Sequence, residues 1–403
     1  MNSTPPLKKM RILDFTRVLS GPVATMMLGD LGAEVIKVEP PSGDESRSWP
    51  PILENGVSAY FLALNRNKQS IALNLKDRRA REIVLKLAED ADVVVENFTP
   101  GVAAKLGIDY DTLKTANPKI IYCAISGFGQ TGPYRDKKAY DPIIQGMTGL
   151  MSITGERDGS PVKIGIPVTD MIAANHAVTA ILAAHIHRLE TGKGQYIDIS
   201  LYDGVISWLT IMAMDYFATG QTPQRWGLDH IHRVPARAFL ASDERWVQVA
   251  ATSEPMYAKF CRLLGLEALL DDPRFATNQD RVSHREEIMP LLEEKFREKD
   301  SHQWLDEFEK AGIPCGPILD IGEVFNGPHV NARDMLFTMP HPIEDEIPQL
   351  GFPFKFSVSS PTARLRPPLL GEHAAAILGD RIAMDRQAID QLIAEKVIFT
   401  APE

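Results

Sequence analysis

Short apolar runs and amphipathic stretches alternate through the first 130 residues. Arg11-Ile12-Leu13-Asp14-Phe15 predicts a strand, Gly21-Pro22 a break, Val23 to Leu31 a short helix ended at Gly32, and Glu34 to Glu39 a second strand. That is a βαβ unit, the building block of a parallel sheet. The rhythm continues with a strand over 70–75 and a helix over 77–90 that has Ile83, Val84 and Leu87 on one face. Strands over 92–96 and 120–126 follow. Such alternation predicts a doubly wound α/β sheet.

The longest helix is predicted to start at Thr169 or Asp170. Its alanines at 173, 174, 177, 180, 183 and 184 suit close packing. Gly192-Lys193-Gly194 turns the chain into an alternating strand over 195–201, and a helix is predicted over 202–217. From about 225 the character changes. Stretches 237–241 and 246–250 predict an antiparallel pair, and helices are predicted near 254–264, 284–297 and 301–311. We expect three segments: 1–224 as the first part of a large α/β domain, 225–325 as a small α+β domain, and 326–403 returning to the large one. The tail, rich in proline and glycine, is predicted to carry helices near 371–379 and 385–396.

At 403 residues the chain can bury a core without disulfide or metal staples. Acidic residues outnumber basic ones 53 to 43, a formal charge of −10 that argues against a nucleic-acid partner. Cys123, Cys261 and Cys315 are far apart, so neither a cysteine zinc site nor a disulfide framework is expected. Residues 1–10 lack the apolar core of a signal peptide. The apolar stretch 172–186, interrupted by Asn175, His176 and His185, is too short to span a bilayer. We therefore expect a cytoplasmic protein with no metal and no membrane partner.

The glycines of the first βαβ unit do not form G-x-G-x-x-G, and no P-loop, G-x-S-x-G or H-E-x-x-H is present. Three other segments fall at the carboxyl ends of predicted strands, where open α/β sheets bind ligands. They are Lys68, Asn74 and Lys76; Asn97 to Gly101; and Ser126 to Gly129. Ordinary turn chemistry explains any one of them, whereas three together suggest one extended site. Asp170, after Ile166-Pro167-Val168-Thr169, has two readings: a helix N-cap, or a carboxylate nucleophile stabilised by the positive end of a helix. His230, His232 and Arg233 lie in a loop with Arg225 and Arg237, a composition able to hold a carboxylate.

Taken together, RILDFTRVLSGPVATMMLGDLGAEVIKVE at 11–39, NRNKQSIALNLK at 65–76, DVVVENFTPG at 92–101, SGFGQTGP at 126–133, YDPIIQGMTGLMSITG at 140–155 and PLLGEH at 368–373 resemble the class III CoA-transferases, which include formyl-CoA transferase and the carnitine CoA-transferases. The resemblance covers nearly the whole chain. It implies a Rossmann-like large domain, a smaller α+β domain, and an interlocked, ring-shaped homodimer. It implies CoA transfer from an acyl-CoA, such as succinyl-CoA, to a carboxylic acid, with the CoA thioester as co-substrate and no permanently bound cofactor. The family's nucleophile falls on Asp170. Its CoA contacts fall on Val18, Leu19 and Ser20, on Leu73, Asn74 and Lys76, on Asn97 and Phe98, on Lys105, and on Gly127, Phe128 and Gly129. The chain departs from formyl-CoA transferase at Leu19 (Gln there) and Pro40 (Arg there). It also lacks that enzyme's glycine-rich loop, reading RWGLDHIHRVP at 225–235 instead, which looks closer to the branch acting on dicarboxylates. Two alternatives are an α-methylacyl-CoA racemase, disfavoured because Tyr140 stands where its catalytic His belongs, and a non-catalytic acyl-CoA-binding protein.

Overall fold

The computed structural model describes residues 4–400, which divide into two units. One is formed by the described residues up to 150, by 163–218 and by those from 331 on, the other by 151–162 and 219–330. In the large unit seven strands form one sheet: β1 (Arg11–Asp14), β2 (Glu34–Glu39), β3 (Lys68–Leu73), β4 (Val93–Glu96), β5 (Ile121–Ser126), β6 (Tyr196–Ser200) and β12 (Ile398–Phe399). Their order is β12-β3-β2-β1-β4-β5-β6, and all pairs are parallel except the edge strand β12 on β3.

Both faces of this sheet are covered over its central strands, which is why β1, β4 and β5 are mostly apolar and buried. On one face Ile12, Val35, Val95 and Cys123 pack with Val23 and Leu28 of helix Ser20–Asp30 and with Ile172, Ala177 and Ile181 of helix Val168–Thr191. On the other, Leu13, Ile36, Ile71 and Val94 pack with Ile83, Val84 and Leu87 of helix Arg78–Glu89. That face is completed by Ile377, Leu378 and Ile389 of helices Ala374–Ile382 and Arg386–Ala394. A hairpin, β10 (Leu336–His341) with β11 (Asp345–Leu350), completes the unit's strands.

The small unit has an antiparallel sheet of β7 (Ala236–Leu240), β8 (Trp246–Ala250) and β9 (Cys315–Pro317). Its core is aromatic: Phe239 stacks on Phe296 at 4.2 Å between centroids, and Phe260, Trp304 and Phe308 gather around them.

Three expectations need correction. Gly21-Pro22 does not break the chain. Proline is tolerated in a first helical turn, where no intrahelical N–H bond is lost, and the helix begins at Ser20. The helix expected over 202–217 is two helices, Leu201–Trp208 and Thr210–Thr219, parted at Leu209, and the second opens on Thr210 with φ +27°. Lys68 lies at the amino end of β3 and is fully buried, so it is not a donor at the carboxyl edge.

Candidate functional site

The loop from Phe15 to Leu19 connects β1 to the helix at Ser20, and buried charges hold it. Asp14 accepts bonds from the Thr16 N–H and hydroxyl (2.9 and 2.5 Å) and from the Thr25 hydroxyl (2.7 Å). The Lys37 ammonium donates to the Thr16 carbonyl at 2.8 Å and to Asp44 at 2.9 Å. Asp44 in turn accepts from the Val18 N–H at 3.2 Å, fixing Val18 at φ +67°. Asn97 brackets Arg17, accepting from its N–H (2.9 Å) and donating to its carbonyl (2.8 Å). Burial opposes every one of these charges, yet their mutual attraction prevails for most. Asp44 is held down at about 2 chiefly by Lys37, and Lys37 is held above its ordinary value by Asp44 and Asp14. Lys68, 3.0 Å from Asp14, is the exception: burial pushes it down to about 8.

Asp170 stands in the first turn of helix Val168–Thr191. It is not the N-cap: Pro167 holds that position and no side chain caps the helix. The helix start is tied down instead by Asp141, which accepts from the Thr169 N–H and hydroxyl, both at 3.0 Å, and from Gln145 at 2.7 Å. Burial, reinforced by the negative charge of Asp141, pushes Asp170 up to about 6, and hydrogen bonding from Ser20 opposes the rise. Tyr60 is within electrostatic reach of the same carboxylate. Burial and the negative charges of Asp170, Asp44 and Asp141 push its hydroxyl up to about 12. A carboxylate that is mostly desolvated yet ionised near neutral pH has lost much of the hydration that blunts a nucleophile.

Asp170 opens onto a cavity of about 320 Å³ lined also by Val18, Leu19, Ser20, Asn97, Phe98 and Gly127. Gly127 is required there because a Cβ would meet that of Ala139 at 2.3 Å. A second cavity of about 450 Å³ is lined by Leu73, Asn74, Lys76 and residues 38–45, and Arg17, Glu45 and Phe98 line both. The two hollows are thus adjoining, and together they collect nine of the residues expected to bind CoA, along with Asp170. Three others lie apart from them. Lys105 is exposed on helix Val102–Leu106 without lining either hollow. Phe128 is in the core beside Tyr134 and Tyr202, and Gly129 makes the turn after it at φ +81°. Pro40 lines the second hollow.

Sequence reasoning missed Asp44, Tyr60, Asp141 and Gln145, and also Arg135, Lys137 and Lys138, which line the Asp170 cavity. The RDKK run at 135–138 was a visible signal, but a charge run in a loop reads equally well as a solvated surface. Tyr60 sits in an apolar stretch, AYFLAL, that reads as core.

His230, His232 and Arg233 lie in the small unit. There the backbone of their loop is held by Arg285, which donates to the carbonyls of His230 (2.8 Å) and Ile231 (3.0 Å). Asn278 reaches the His232 carbonyl at 2.9 Å. Two cations of the expected cluster are engaged within the unit: Arg225 donates to the carbonyls of Glu156 and Gly159, and Arg237 pairs with Glu293 at 2.9 Å. His230 and Arg233 line an open hollow with Asp229 and Gln248.

The sequence model of CoA-transferase family III matches residues 7–374. The chain belongs to that family. It is 42% identical over 398 residues to the succinyl-CoA:glutarate CoA-transferase of Mus musculus, covering 98% of this chain and 91% of that one. It is 40% identical over 395 residues to the succinate–glutarate CoA-transferase of Agrobacterium fabrum, covering 96% and 98%. A crystal structure of a CAIB/BAIF family protein from Brucella suis superposes with a TM-score of 0.84 at 40% identity, covering 94% of this chain and all of that one. This family III chain is therefore an enzyme that transfers CoA, and its large parallel sheet is the family's fold. Among the described residues no helix is long and apolar enough to cross a membrane.

Proposed function

We propose that this enzyme moves CoA from succinyl-CoA to a dicarboxylic acid through a thioester on Asp170. The observation that carries the reading is Asp170 itself, a largely buried carboxylate raised to about 6 in a cavity lined by Val18, Leu19, Ser20, Asn97, Phe98 and Gly127. In the first step an Asp170 oxygen attacks the thioester carbonyl and the C–S bond breaks, giving a mixed anhydride and CoA thiolate. The thiolate attacks the Asp170 side of the anhydride, freeing the donor acid and leaving an aspartyl-CoA thioester. The acceptor carboxylate attacks that thioester and expels the thiolate. The thiolate then attacks the acceptor's acyl carbon, releasing the new acyl-CoA and restoring Asp170. The overall exchange replaces one CoA thioester by another, and the resting intermediate is itself a thioester, so the sequence of steps needs no ATP; it does need water excluded.

Val18, Leu19, Ser20, Leu73, Asn74, Lys76, Asn97, Phe98, Lys105, Gly127, Phe128 and Gly129 make up the CoA-binding segments in this reading. His230, His232 and Arg233 recognise the second carboxylate of the acyl group. The glutarate-using relatives support the choice of a dicarboxylate. We also read residues 1–224 with 326–403 as the CoA-binding domain, 225–325 as the small domain, and the working form as an interlocked homodimer in the cytoplasm. Its apparent mass by ultracentrifugation should not fall on dilution. The deciding experiment is mass spectrometry of acids and CoA esters after incubation with succinyl-CoA and a panel of di- and monocarboxylates. Formation of a C4–C6 dicarboxyl-CoA with release of succinate supports the reading. CoA transfer to monocarboxylates alone, or none, overturns it.

A further inference from the structure

Ser126 ends β5 and is 7% exposed. Its hydroxyl meets no hydrogen-bond partner among the described residues. Its cross-strand neighbour Ser200 has its own hydroxyl occupied, accepting from the Asp203 N–H at 3.0 Å. A buried hydroxyl without a partner is rare in folded proteins, because it gives up water and receives nothing in return. Ser126 also lines the cavity that contains Asp170, so a ligand there can reach it.

The pleat decides which part of a ligand that is. Along β5, Ile121, Cys123 and Ile125 face the helices that begin at Ser20 and Val168, whereas Tyr122 and Ala124 face the opposite side of the sheet. Alternation therefore turns Ser126 away from the helix that carries Asp170 and towards the side of Phe98. The hydroxyl is in the cavity but not on the face where the acyl carbon reacts. It is neutral, with one donor and acceptor lone pairs, which matches a secondary amide. A carboxylate in the same cavity has better partners in Arg17, Arg135, Lys137 and Lys138.

We propose that the Ser126 hydroxyl hydrogen-bonds an amide of the pantetheine arm of the bound CoA ester, gripping the arm whatever acyl group it carries. This rests on the CoA-transfer reading above. The test is Ser126→Ala in the full chain, with free CoA as the calorimetric probe and succinyl-CoA in the kinetic assay. Loss of one neutral hydrogen bond predicts a Kd for CoA raised about three- to tenfold. The KM for succinyl-CoA should rise by the same factor, while kcat and the KM for the acceptor acid stay within about twofold, the signature of lost uniform binding. The unliganded protein should melt at the same temperature or higher, because alanine removes an unpaired polar atom. Unchanged CoA affinity overturns the proposal. So does a lower melting temperature without ligand, which would mark a structural hydroxyl, or a fall in kcat at constant Kd, which would place it at the reacting carbonyl. Failure of the wild-type protein to bind CoA is a different result, and it refutes the CoA-transfer reading itself.

Discussion

The large unit buries lysines against carboxylates: Lys37 on Asp44 and Lys68 on Asp14, all with side chains 0–1% exposed. The small unit buries arginines against carbonyls as well as carboxylates: Arg281 donates to the carbonyls of Val234 and Phe275 and pairs with the half-exposed Glu254 at 2.9 Å, and Arg285 donates to those of His230 and Ile231 and pairs with Asp229 at 3.2 Å. Arg281 also lies 3.8 Å over the Tyr257 ring. Both devices hold a loop, but they store different risks. An arginine shared between carbonyls and a carboxylate that water can reach leaves, when lost, a loosened backbone and an anion that solvent can partly hydrate. A lysine taken from between two buried carboxylates leaves uncompensated anions, which is far more costly. The large unit thus makes the loop that leads to Ser20 depend on exact charge balance, and the small unit anchors its His/Arg loop more tolerantly.

The sharpest way to widen this contrast is at Asp170. Asp170→Asn should lower transfer by at least about a thousandfold, since it removes the nucleophile while keeping the shape. Its stability should move the other way. A folded-state value raised from 3.8 to about 6 means the contribution of this group is favourable below 3.8 and lost as pH rises through 6. The Asn variant should therefore be more stable than wild type at pH 8, by about 1–3 kcal/mol in chemical denaturation. Transfer near the wild-type rate, with deamidation excluded, would end the nucleophile assignment.

Lys37→Met tests the charge balance. We expect a loss of about 3–5 kcal/mol in denaturant melts. The matching change on the small unit's surface, Lys310→Ala, removes an exposed pair with Asp306 and should leave the denaturation midpoint unchanged within error. Similar losses for both would erase the comparison. For the small unit's loop, Arg233→Ala and His232→Ala, made separately, should each lower use of a C4 or C5 dicarboxylate about ten- to a hundredfold relative to a monocarboxylate of equal length. Equal loss on both acceptors would reassign the pair to CoA. The mildest effect is on pH. Because Asp170 must be ionised to attack, kcat/KM should fall as pH drops through about 6, reaching about one tenth at pH 5. A flat profile from 5 to 8 would contradict its raised value.

Much of the fold was legible because periodicity leaves little choice: the strand Glu34–Glu39 and the helix Glu254–Leu264 begin and end where their apolar patterns place them. The misses have physical causes. Gly21-Pro22 has the composition of a break, but only the first turn's unused N–H positions decide whether Pro22 is tolerated. The two-residue strand Ile398–Phe399 carries no period at all; its existence depends on β3 offering an edge. Asp170 stood out by its place before a long helix, yet the groups that set its charge, Asp141 and Ser20, are 29 and 150 positions away and become neighbours only through the packing of two helices and a loop. Nothing in the sequence announces that Lys37 donates to Asp44 inside the core.

The pairing of Leu73 with Ile398 has a consequence for how the protein is made. One side of the sheet, with Ile71, Val84 and Val94, is finished only by Ala374, Ile377, Leu378 and Val397. A ribosome adding about 5–20 residues per second needs on the order of 15–65 s to travel from one half of that core to the other. Throughout that interval the nascent chain displays an unpaired strand edge beside an uncovered apolar surface, the combination most prone to sticking to a neighbouring polysome's product. The order in which this chain is written therefore leaves that surface to be covered only when the last helices emerge.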